Sequence, residues 1–321
     1  MGRGVVRDVA QAARWLHRAA KQGSDDAQAQ LGRLYASRNV PRHDATAVKW
    51  FRLAAEHGHA RAQAGLGFMH MAGRGVAQNA QEGMSWLSRA AAQGDTRAFV
   101  TLAESYANGM GVPRDDTQAV VWYRKAAEQG DVVAQTNLGL MYAEGRVSPG
   151  RDAAAATKWF LKAAENGGVS AQLNLGAMYE VGDGLPADDA AAATWYLAAA
   201  TQGNAEAQGR LATLYFEGRG VEGDIKAGAR WLQSAATEGD ADSLELLARV
   251  RQAAEEGDDD ALDVLAVLNS DAGAAMDGGG IVSSRVARQA SAGTQWFRRE
   301  LRSLISPMQL SRTLKVYGFR R

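Results

Sequence analysis

The chain has no cysteine, no long apolar run and no net charge, and each absence removes a class of protein. Without cysteine, its 321 residues can form no disulfide framework and offer no thiol nucleophile. No segment approaches the roughly 18 consecutive apolar residues of a membrane-spanning helix. Met1 to Leu16 also lack the apolar core of a signal peptide. We therefore expect a soluble, cytoplasmic protein, with a periplasmic or secreted protein as the alternative if the N-terminus is truncated.

The zero net charge hides a difference between the two ends of the chain. Residues 285–321 contain nine basic residues and a single acidic residue, Glu300, so this segment carries +8 and residues 1–284 carry −8. The sequence therefore predicts an acidic array followed by a basic tail. Abundant alanine and the excess of arginine over lysine are typical of a bacterium with a GC-rich genome.

Tryptophan recurs at an almost fixed interval. Seven of the eight tryptophans are separated by 35 to 37 residues, and each is followed by an Ala-Ala pair and then by a glycine eight residues later. These tryptophans are Trp15, Trp50, Trp86, Trp122, Trp159, Trp195 and Trp231. A strict period of this length predicts a solenoid, because each unit is too small to bury its own apolar face and must stack on its neighbours.

Each repeat is predicted to contain two helices. In the clearest repeat, Ala134, Leu138 and Tyr142 fall at helical spacing in the first helix, and its leucine recurs in every repeat. In the second helix, Trp122 and Ala126 belong to one apolar stripe. We expect this tryptophan to be a buried knob that packs against the small alanines.

A Gly-x-Gly motif lies between the two predicted helices, for example at residues 109–112 and 218–221. A dinucleotide-binding loop would have to follow a strand, whereas this motif follows a helix and recurs in successive repeats. We interpret it as a left-handed helix stop. Acidic residues at predicted helix starts are interpreted as N-caps and not as acid–base pairs or cation sites. They include Asp115, Asp116, Asp188, Asp189 and residues 258–260.

Taken together, these motifs resemble the Sel-one-like repeat. Residues 134–142 (Ala-Gln-Thr-Asn-Leu-Gly-Leu-Met-Tyr) and residues 109–130 are similar to its pattern of Ala-Gln-x-x-Leu-Gly-x-x-Tyr, Gly-x-Gly-Val and Ala-x-x-Trp-x-x-x-Ala-Ala-x-x-Gly. The resemblance covers about residues 2–257. It implies an all-α fold, a right-handed superhelical α/α solenoid of about six helix-turn-helix repeats with a period of about 36 residues, related to the tetratricopeptide (TPR) repeat. It also implies a scaffold or adaptor that holds protein partners.

The domain organisation follows from where the motifs weaken. Residues 1–268 are the predicted solenoid, with an orphan helix at 8–22, full repeats over about 24–238 and a degenerate capping hairpin at 240–268. Residues 269–284 are rich in small residues and are predicted to be a flexible linker. Residues 285–321 are predicted to form a basic amphipathic C-terminal tail.

No residue pattern predicts catalysis. We expect His57 to lie at a helix end. His59 occupies a repeat position that elsewhere holds Asp, and His70 occupies one that elsewhere holds Tyr. We favour these structural roles over a metal site. No serine precedes a lysine by three residues. We therefore predict no enzymatic activity, no cofactor, no metal and no small-molecule substrate.

We expect a protein partner to bind in the concave groove, which the first helices line in the family that this chain resembles. The residue before each repeated leucine, and the residue one turn later, are then the candidate contacts. They are Gln30, Arg33, Phe68, Thr101, Glu104, Asn137, Leu140, Asn174 and Arg210. Asn137 and Asn174 are the sharpest candidates, because an asparagine amide both donates to and accepts from a peptide backbone. The alternative is that these residues are ordinary solvated surface.

The tail is the second candidate site. Within residues 294–305, Leu301, Leu304 and Ile305 share one face of a predicted helix with Phe297. The candidate contact residues are Trp296, Phe297, Arg298, Arg299 and Arg302. The tail could dock on the acidic array, recruit another protein as a mobile arm, or bind an anionic membrane or nucleic acid. An adaptor for a membrane surface or nucleic acid is therefore the alternative to a protein scaffold.

Overall fold

The computed structural model describes residues 9–37, 43–147 and 149–274, and all regular structure in these ranges is α-helical. Two compact units divide the chain: unit 1 is Met1–Leu138 and unit 2 is Gly139–Arg321, with the boundary inside one helix. The helices are α1 (Val9–Lys21), α2 (Asp25–Ala36), α3 (Asp44–Glu56), α4 (Ala60–Ala72), α5 (Ala80–Ala92), α6 (Thr96–Asn108), α7 (Asp116–Glu128), α8 (Val132–Ala143), α9 (Ala153–Glu165), α10 (Val169–Val181), α11 (Asp189–Ala200), α12 (Ala205–Glu217), α13 (Ile225–Thr237), α14 (Ala241–Glu255) and α15 (Asp259–Ala274).

The helices pack as consecutive pairs. In unit 1, α2 packs on α3, α4 on α5 and α6 on α7; in unit 2, α10 packs on α11 and α12 on α13. The second helix of a pair also contacts the first helix of the next pair, as α3 does with α4 and α11 with α12. At the end of the described chain, α14 and α15 contact each other and both contact α13. The all-α solenoid predicted from the sequence is confirmed.

The repeated leucine lies at the centre of each pair. Leu31, Leu66, Leu138 and Leu175 have no exposed surface. The Ala-Ala pair of the second helix is buried as well, as at Ala54 and Ala55. Such small side chains let neighbouring helices approach closely, which gives the core its density.

The expectation of a buried tryptophan is wrong. Trp15 is 62% exposed, and the other six repeat tryptophans are half-buried. A helix turns by about 100° per residue, so two adjacent bulky side chains cannot both point into the core. The indoles lie at its edge, where Arg89 packs over Trp86 and Lys162 over Trp159. From the second repeat tryptophan onward, the residue after the tryptophan is the buried one: Phe51, Leu87, Tyr123, Phe160, Tyr196 and Leu232.

A glycine directly after the repeated leucine makes room for this buried side chain. A Cβ placed at Gly32 would lie 2.5 Å from the ring of Phe51, and a Cβ at Gly176 would lie 2.5 Å from the ring of Tyr196. Real Cβ atoms essentially never come this close to another heavy atom. The Leu-Gly motif is therefore a socket for a bulky residue of the second helix. The same arrangement pairs Gly67 with Leu87 and Gly139 with Phe160.

The Gly-x-Gly motif ends the first helix, as predicted. Gly73 follows α4 with φ of 63°, and Gly182 follows α10 with φ of 74°. The second glycine has a further role that the sequence did not indicate, because it lies against the start of the second helix in the preceding pair. A Cβ at Gly184 would come within 2.6 Å of the carbonyl carbon of Ala153. This glycine therefore permits close backbone contact between successive pairs.

Polar side chains cap the helices as the sequence predicts. Asp115 accepts a hydrogen bond from the Gln118 N–H at 3.0 Å. His59 has the same role at the start of α4, where its Nδ1 accepts from the Ala62 N–H at 3.2 Å. Each bond satisfies a backbone donor that has no partner inside its helix.

A buried glutamine ties most first helices to the helix before them. Gln63 donates its side-chain amide to the carbonyl of Ala55 at 3.1 Å, which uses the second lone pair of a carbonyl near a helix end. The acceptor is the second alanine of the Ala-Ala pair. Gln28, Gln135, Gln172 and Gln208 make the equivalent bond. In α6, Phe99 takes this position.

The last helix extends further than predicted. α15 reaches Ala274, so residues 269–274 belong to a helix and not to the predicted flexible linker. A helix that packing has already nucleated gains one hydrogen bond for each added residue, which favours its extension although four of these six residues (Asn-Ser-Asp-Ala-Gly-Ala) are weak helix formers. Residues 275–321, which contain the rest of the predicted linker and the tail, lie outside the described residues.

Candidate partner-binding surface

The first helices of unit 1 carry six of the predicted groove residues. α2 contacts α4, and α4 contacts α6, so the helices that carry most of them are neighbours. One row consists of positions directly before the repeated leucine, and a second row lies two positions after it. We call this set the first-helix surface: Gln30, Thr101 and Asn137 in the first row, and Arg33, Phe68 and Glu104 in the second.

Phe68 is the single apolar member of the first-helix surface, and it is 42% exposed. The guanidinium of Arg74 lies 5.9 Å from its ring centroid. That guanidinium is held by two hydrogen bonds to Asp44, at 2.6 and 3.1 Å. One part of the ring is therefore covered by a fixed cation, and the rest is open to a partner.

Opposite charges flank Phe68 in its row. Arg33 is exposed on α2, and Glu104 is half-buried on α6. Burial raises the pKa of Glu104 above its ordinary value of 4.5, and the negative charge of Asp131 raises it further. A basic group from a partner would stabilise the ionised form of Glu104 against both effects.

The two asparagines that were the sharpest sequence candidates already have hydrogen-bond partners. Asn137 is half-buried, and its Nδ2 donates to the hydroxyl of Tyr123 at 3.3 Å. Asn174 is only 7% exposed, and its Nδ2 donates to the carbonyl of Ser170 at 2.8 Å. This bond folds the amide back along its own helix. Little of Asn174 is therefore accessible to a partner.

The other predicted positions in unit 2 are also enclosed. Leu140 is 7% exposed, and Arg210 is half-buried with its guanidinium 3.9 Å from the carboxylate of Glu206. Burial raises the pKa of Glu206; Arg210 lowers it, whereas Asp240 and Asp242 raise it. The contact roles of these residues stay predictions, and most of the accessible candidates lie in unit 1.

A polar cluster in unit 2 was not found from the sequence. Arg219 donates to Asp189 at 2.7 and 3.0 Å, to Glu217 at 3.0 Å and to Glu180 at 3.2 Å. The hydroxyl of Tyr196 donates to Glu180 at 2.8 Å, and burial raises the pKa of this tyrosine, with the charge of Glu180 adding to the effect. Arg219 belongs to one repeat, and Asp189 and Glu180 belong to the preceding repeat, so the cluster links neighbouring repeats. Its ionic groups compensate each other's charges. The available signal was an arginine inside Gly-x-Gly, 30 residues after an aspartate.

Three of the five histidines lie within ion-pair distance of a carboxylate. His57 Nδ1 lies 2.7 Å from Asp25, and His59 Nε2 lies 3.0 Å from Asp26. His70 is buried, with Nε2 3.3 Å from Glu82. In the described part of the chain, no group of three His, Asp or Glu side chains is arranged to hold a metal ion. None of the helices in that part has both the length and the hydropathy to cross a membrane.

Helix pairs that repeat about every 36 residues, with glycine stops and a leucine core, define an α-solenoid repeat protein. The Sel1 repeat matches this chain in seven copies, and the chain therefore belongs to the Sel1 repeat family. The copies cover residues 1–24, 25–59, 60–95, 102–131, 132–168, 169–204 and 205–240. The resemblance found in the sequence is thus confirmed.

Two solved structures are similar over much of the chain. A protective antigen of uropathogenic Escherichia coli with the SLR fold is 30% identical, with a TM-score of 0.68 over 94% of this chain and 69% of that one. A Sel1 repeat protein from Oxalobacter formigenes is 30% identical, with a TM-score of 0.62 over 71% of this chain and 98% of that one. The comparison with curated proteins gave no match. Sel1 repeat proteins are generally scaffolds for protein–protein interaction and typically lack catalytic activity.

Proposed function

We propose that this protein is a scaffold that binds an extended segment of a protein partner on the first-helix surface of unit 1 and catalyses no reaction on it. The observation that carries the proposal is the exposure of Phe68 between two charged positions of its row. An aromatic side chain at the centre of a contact supplies much of the binding energy in protein interfaces. The sequence indicated contacts along the whole groove, whereas this proposal confines partner binding to unit 1.

The spacing of the row specifies a partner sequence. Axes of packed helices lie about 8–10 Å apart, and an extended chain advances about 3.3 Å per residue. Successive positions of the row are then about three partner residues apart. The expected partner pattern is acidic-x-x-apolar-x-x-basic, with the acidic residue opposite Arg33, the apolar residue on Phe68 and the basic residue opposite Glu104. We expect the Gln30 amide and the Thr101 hydroxyl, which donates to the Arg97 carbonyl at 3.0 Å and keeps its lone pairs as acceptors, to contact the partner backbone.

Selection of a random library of displayed dodecapeptides against the full chain tests the proposal. We expect enrichment of the acidic-x-x-apolar-x-x-basic pattern. Phe68→Ala should weaken binding of an enriched peptide by about tenfold or more, which corresponds to about 1.4 kcal/mol. The matched control is Leu53→Ala, which removes an equally exposed apolar side chain from the second helix α3 of the same unit and should leave the affinity unchanged.

Reversing one charge of the surface tests which end of the bound peptide lies at Glu104. In a selection against the Glu104→Lys variant, the basic position of the enriched peptides should become acidic. Enriched peptides that bind the Phe68→Ala variant as tightly as the wild type would contradict the proposal. The alternative of a membrane-surface or nucleic-acid adaptor depends on the tail and would be indicated by steeply salt-dependent binding to anionic vesicles or oligonucleotides.

A further inference from the structure

The negative charge of the array is concentrated in its last two helices. Residues 240–274 contain ten acidic and two basic residues, a net charge of −8, whereas residues 1–239 contain 24 acidic and 25 basic residues. The acidity therefore comes from α14, α15 and the turn between them. Exposed carboxylates of this region include Asp242, Glu245, Glu255, Glu256 and Asp259.

The same two helices expose apolar side chains. Leu244 on α14 is 50% exposed, and Leu262 on α15 is 45% exposed. Leu244 stands 36 residues after Gln208, in the position that is buried in the earlier repeats. In two of those repeats a glutamine just after the second helix contacts this position: Gln202 donates to Gln172 at 2.8 Å, and Gln93 donates to Gln63 at 2.8 Å. α15 instead packs against α13 and α14 and leaves Leu244 uncovered.

We propose that residues 294–305 of this chain dock on the surface formed by α14 and α15. This segment carries apolar residues at helical spacing, including Phe297 and Leu301, which would cover the exposed leucines. Its arginines Arg298, Arg299 and Arg302 would face the exposed carboxylates. The tail as a whole carries +8 against the −8 of the last two helices, so the two charges are matched.

The connection to the docking segment has a suitable length. Nineteen residues, 275–293, separate the end of α15 from this segment. A random chain of this length spans about 24 Å on average, and the 16 residues of α15 extend over about 24 Å. A tether that matches the distance between two sites gives effective concentrations in the millimolar range. The chain's own tail is therefore favoured over the tail of a second copy, and it would cover the open end of the array.

Hydrogen exchange measured by mass spectrometry on the full chain tests this docking. The triple variant Arg298→Glu, Arg299→Glu, Arg302→Glu should make peptides within residues 259–269 exchange about fivefold faster or more, because it replaces attraction by repulsion. The matched control is Arg312→Glu, Lys315→Glu, Arg320→Glu. It changes the tail charge by the same amount outside the docking segment and should retain most of the protection.

Two further measurements exclude trivial explanations. Leu262→Ala removes only a half-exposed side chain and should accelerate exchange within residues 294–305 in a chain that keeps its helical circular dichroism. Protection of residues 259–269 should also fall at about 1 M salt, where the Debye length is about 3 Å.

Equal exchange in the wild type and the triple variant, or equal loss in the triple variant and its control, would overturn the proposal. Protection that rises with protein concentration together with a dimer mass would assign the surface to a second copy and overturn docking within one chain. Peptide binding to unit 1 is a separate readout, so either proposal can fail without the other.

Discussion

Inside the helix pairs one contact recurs in nearly the same form, whereas the joint between pairs changes its chemistry from repeat to repeat. Within a pair, a glycine of the first helix faces a bulky side chain of the second, as Gly32 faces Phe51 and Gly176 faces Tyr196. This contact depends only on the volumes of the two side chains. Exchanging the small and the bulky residue between the two helices would force the surrounding core to repack. The position after the repeated leucine is therefore always small.

At the joint, the middle residue of Gly-x-Gly meets the start of the second helix in the preceding pair. Arg74 forms an ion pair with Asp44, the first residue of α3, at 2.6 Å, whereas in a later repeat the middle residue is the acidic Asp183, which pairs with Arg151 two residues before α9 begins. Met110 holds the same place without a charge. A partly exposed charge pair tolerates a change of sign because its energy depends on opposite charges and not on which partner carries which charge.

The largest expected effect tests which side chain forms the interior contact. Phe160→Ala should lower the free energy of unfolding by about 3–5 kcal/mol, because it leaves a cavity beside Gly139. Trp159→Ala, one residue earlier in the same helix, should cost clearly less because its indole is half-buried. Thermal and urea unfolding followed by circular dichroism measures both. An equal or greater loss for Trp159→Ala would show that tryptophan is the core residue after all.

The second prediction separates backbone strain from close contact at the joint. Gly220→Ala and Gly203→Ala both place alanine at positive φ, but a Cβ at Gly220 would overlap the backbone of Asp189 whereas a Cβ at Gly203 meets nothing within 4 Å. Gly220→Ala should therefore cost about 1–3 kcal/mol more than Gly203→Ala. Similar unfolding midpoints for the two variants would mean that successive pairs can separate at no cost.

The third prediction concerns the invertible charge pair. Arg74→Asp should destabilise the chain by about 1 kcal/mol, because it places two carboxylates at one joint. The double variant Arg74→Asp, Asp44→Arg should recover part of this loss, because it restores opposite charges but places a cation in the first turn of α3. A double-mutant cycle at low and high salt measures the coupling. Destabilisations that simply add in the double variant would contradict the inversion argument.

The smallest expected effect is a pH dependence at the first-helix surface. The pKa of Glu104 is raised in the folded chain, so the folded state binds its proton more tightly than the unfolded state. This group's contribution therefore favours folding below its ordinary pKa of 4.5 and is lost as the pH rises through the raised folded value. Glu104→Gln should slightly raise the unfolding temperature at neutral pH, and the gain should vanish below about pH 4. A gain of equal size at both pH values would exclude ionisation as the cause.

Several features of the site could not be predicted from the sequence. The spacing selected the positions before each leucine as candidate contacts, but it did not show that the amide of Asn174 bonds to Ser170 or that Leu140 is buried. Both outcomes depend on how closely the neighbouring helices approach. The exposure of Phe68 likewise depends on Arg74, which belongs to a loop and not to the predicted groove.

The period, the helix pairs, their glycine stops and their caps could be predicted from the amino-acid order alone, because these features depend on residues close together in the chain. The leucine core and the family followed from repetition of the same short motifs. Three features emerged only from the packing of the helices: the residue after the tryptophan enters the core, the second glycine contacts the preceding pair, and Arg74 meets Asp44 across 30 residues. These depend on the rotation of one helix against another and on distances across repeats. Short motifs do not encode either quantity, since several packings satisfy the same apolar stripe.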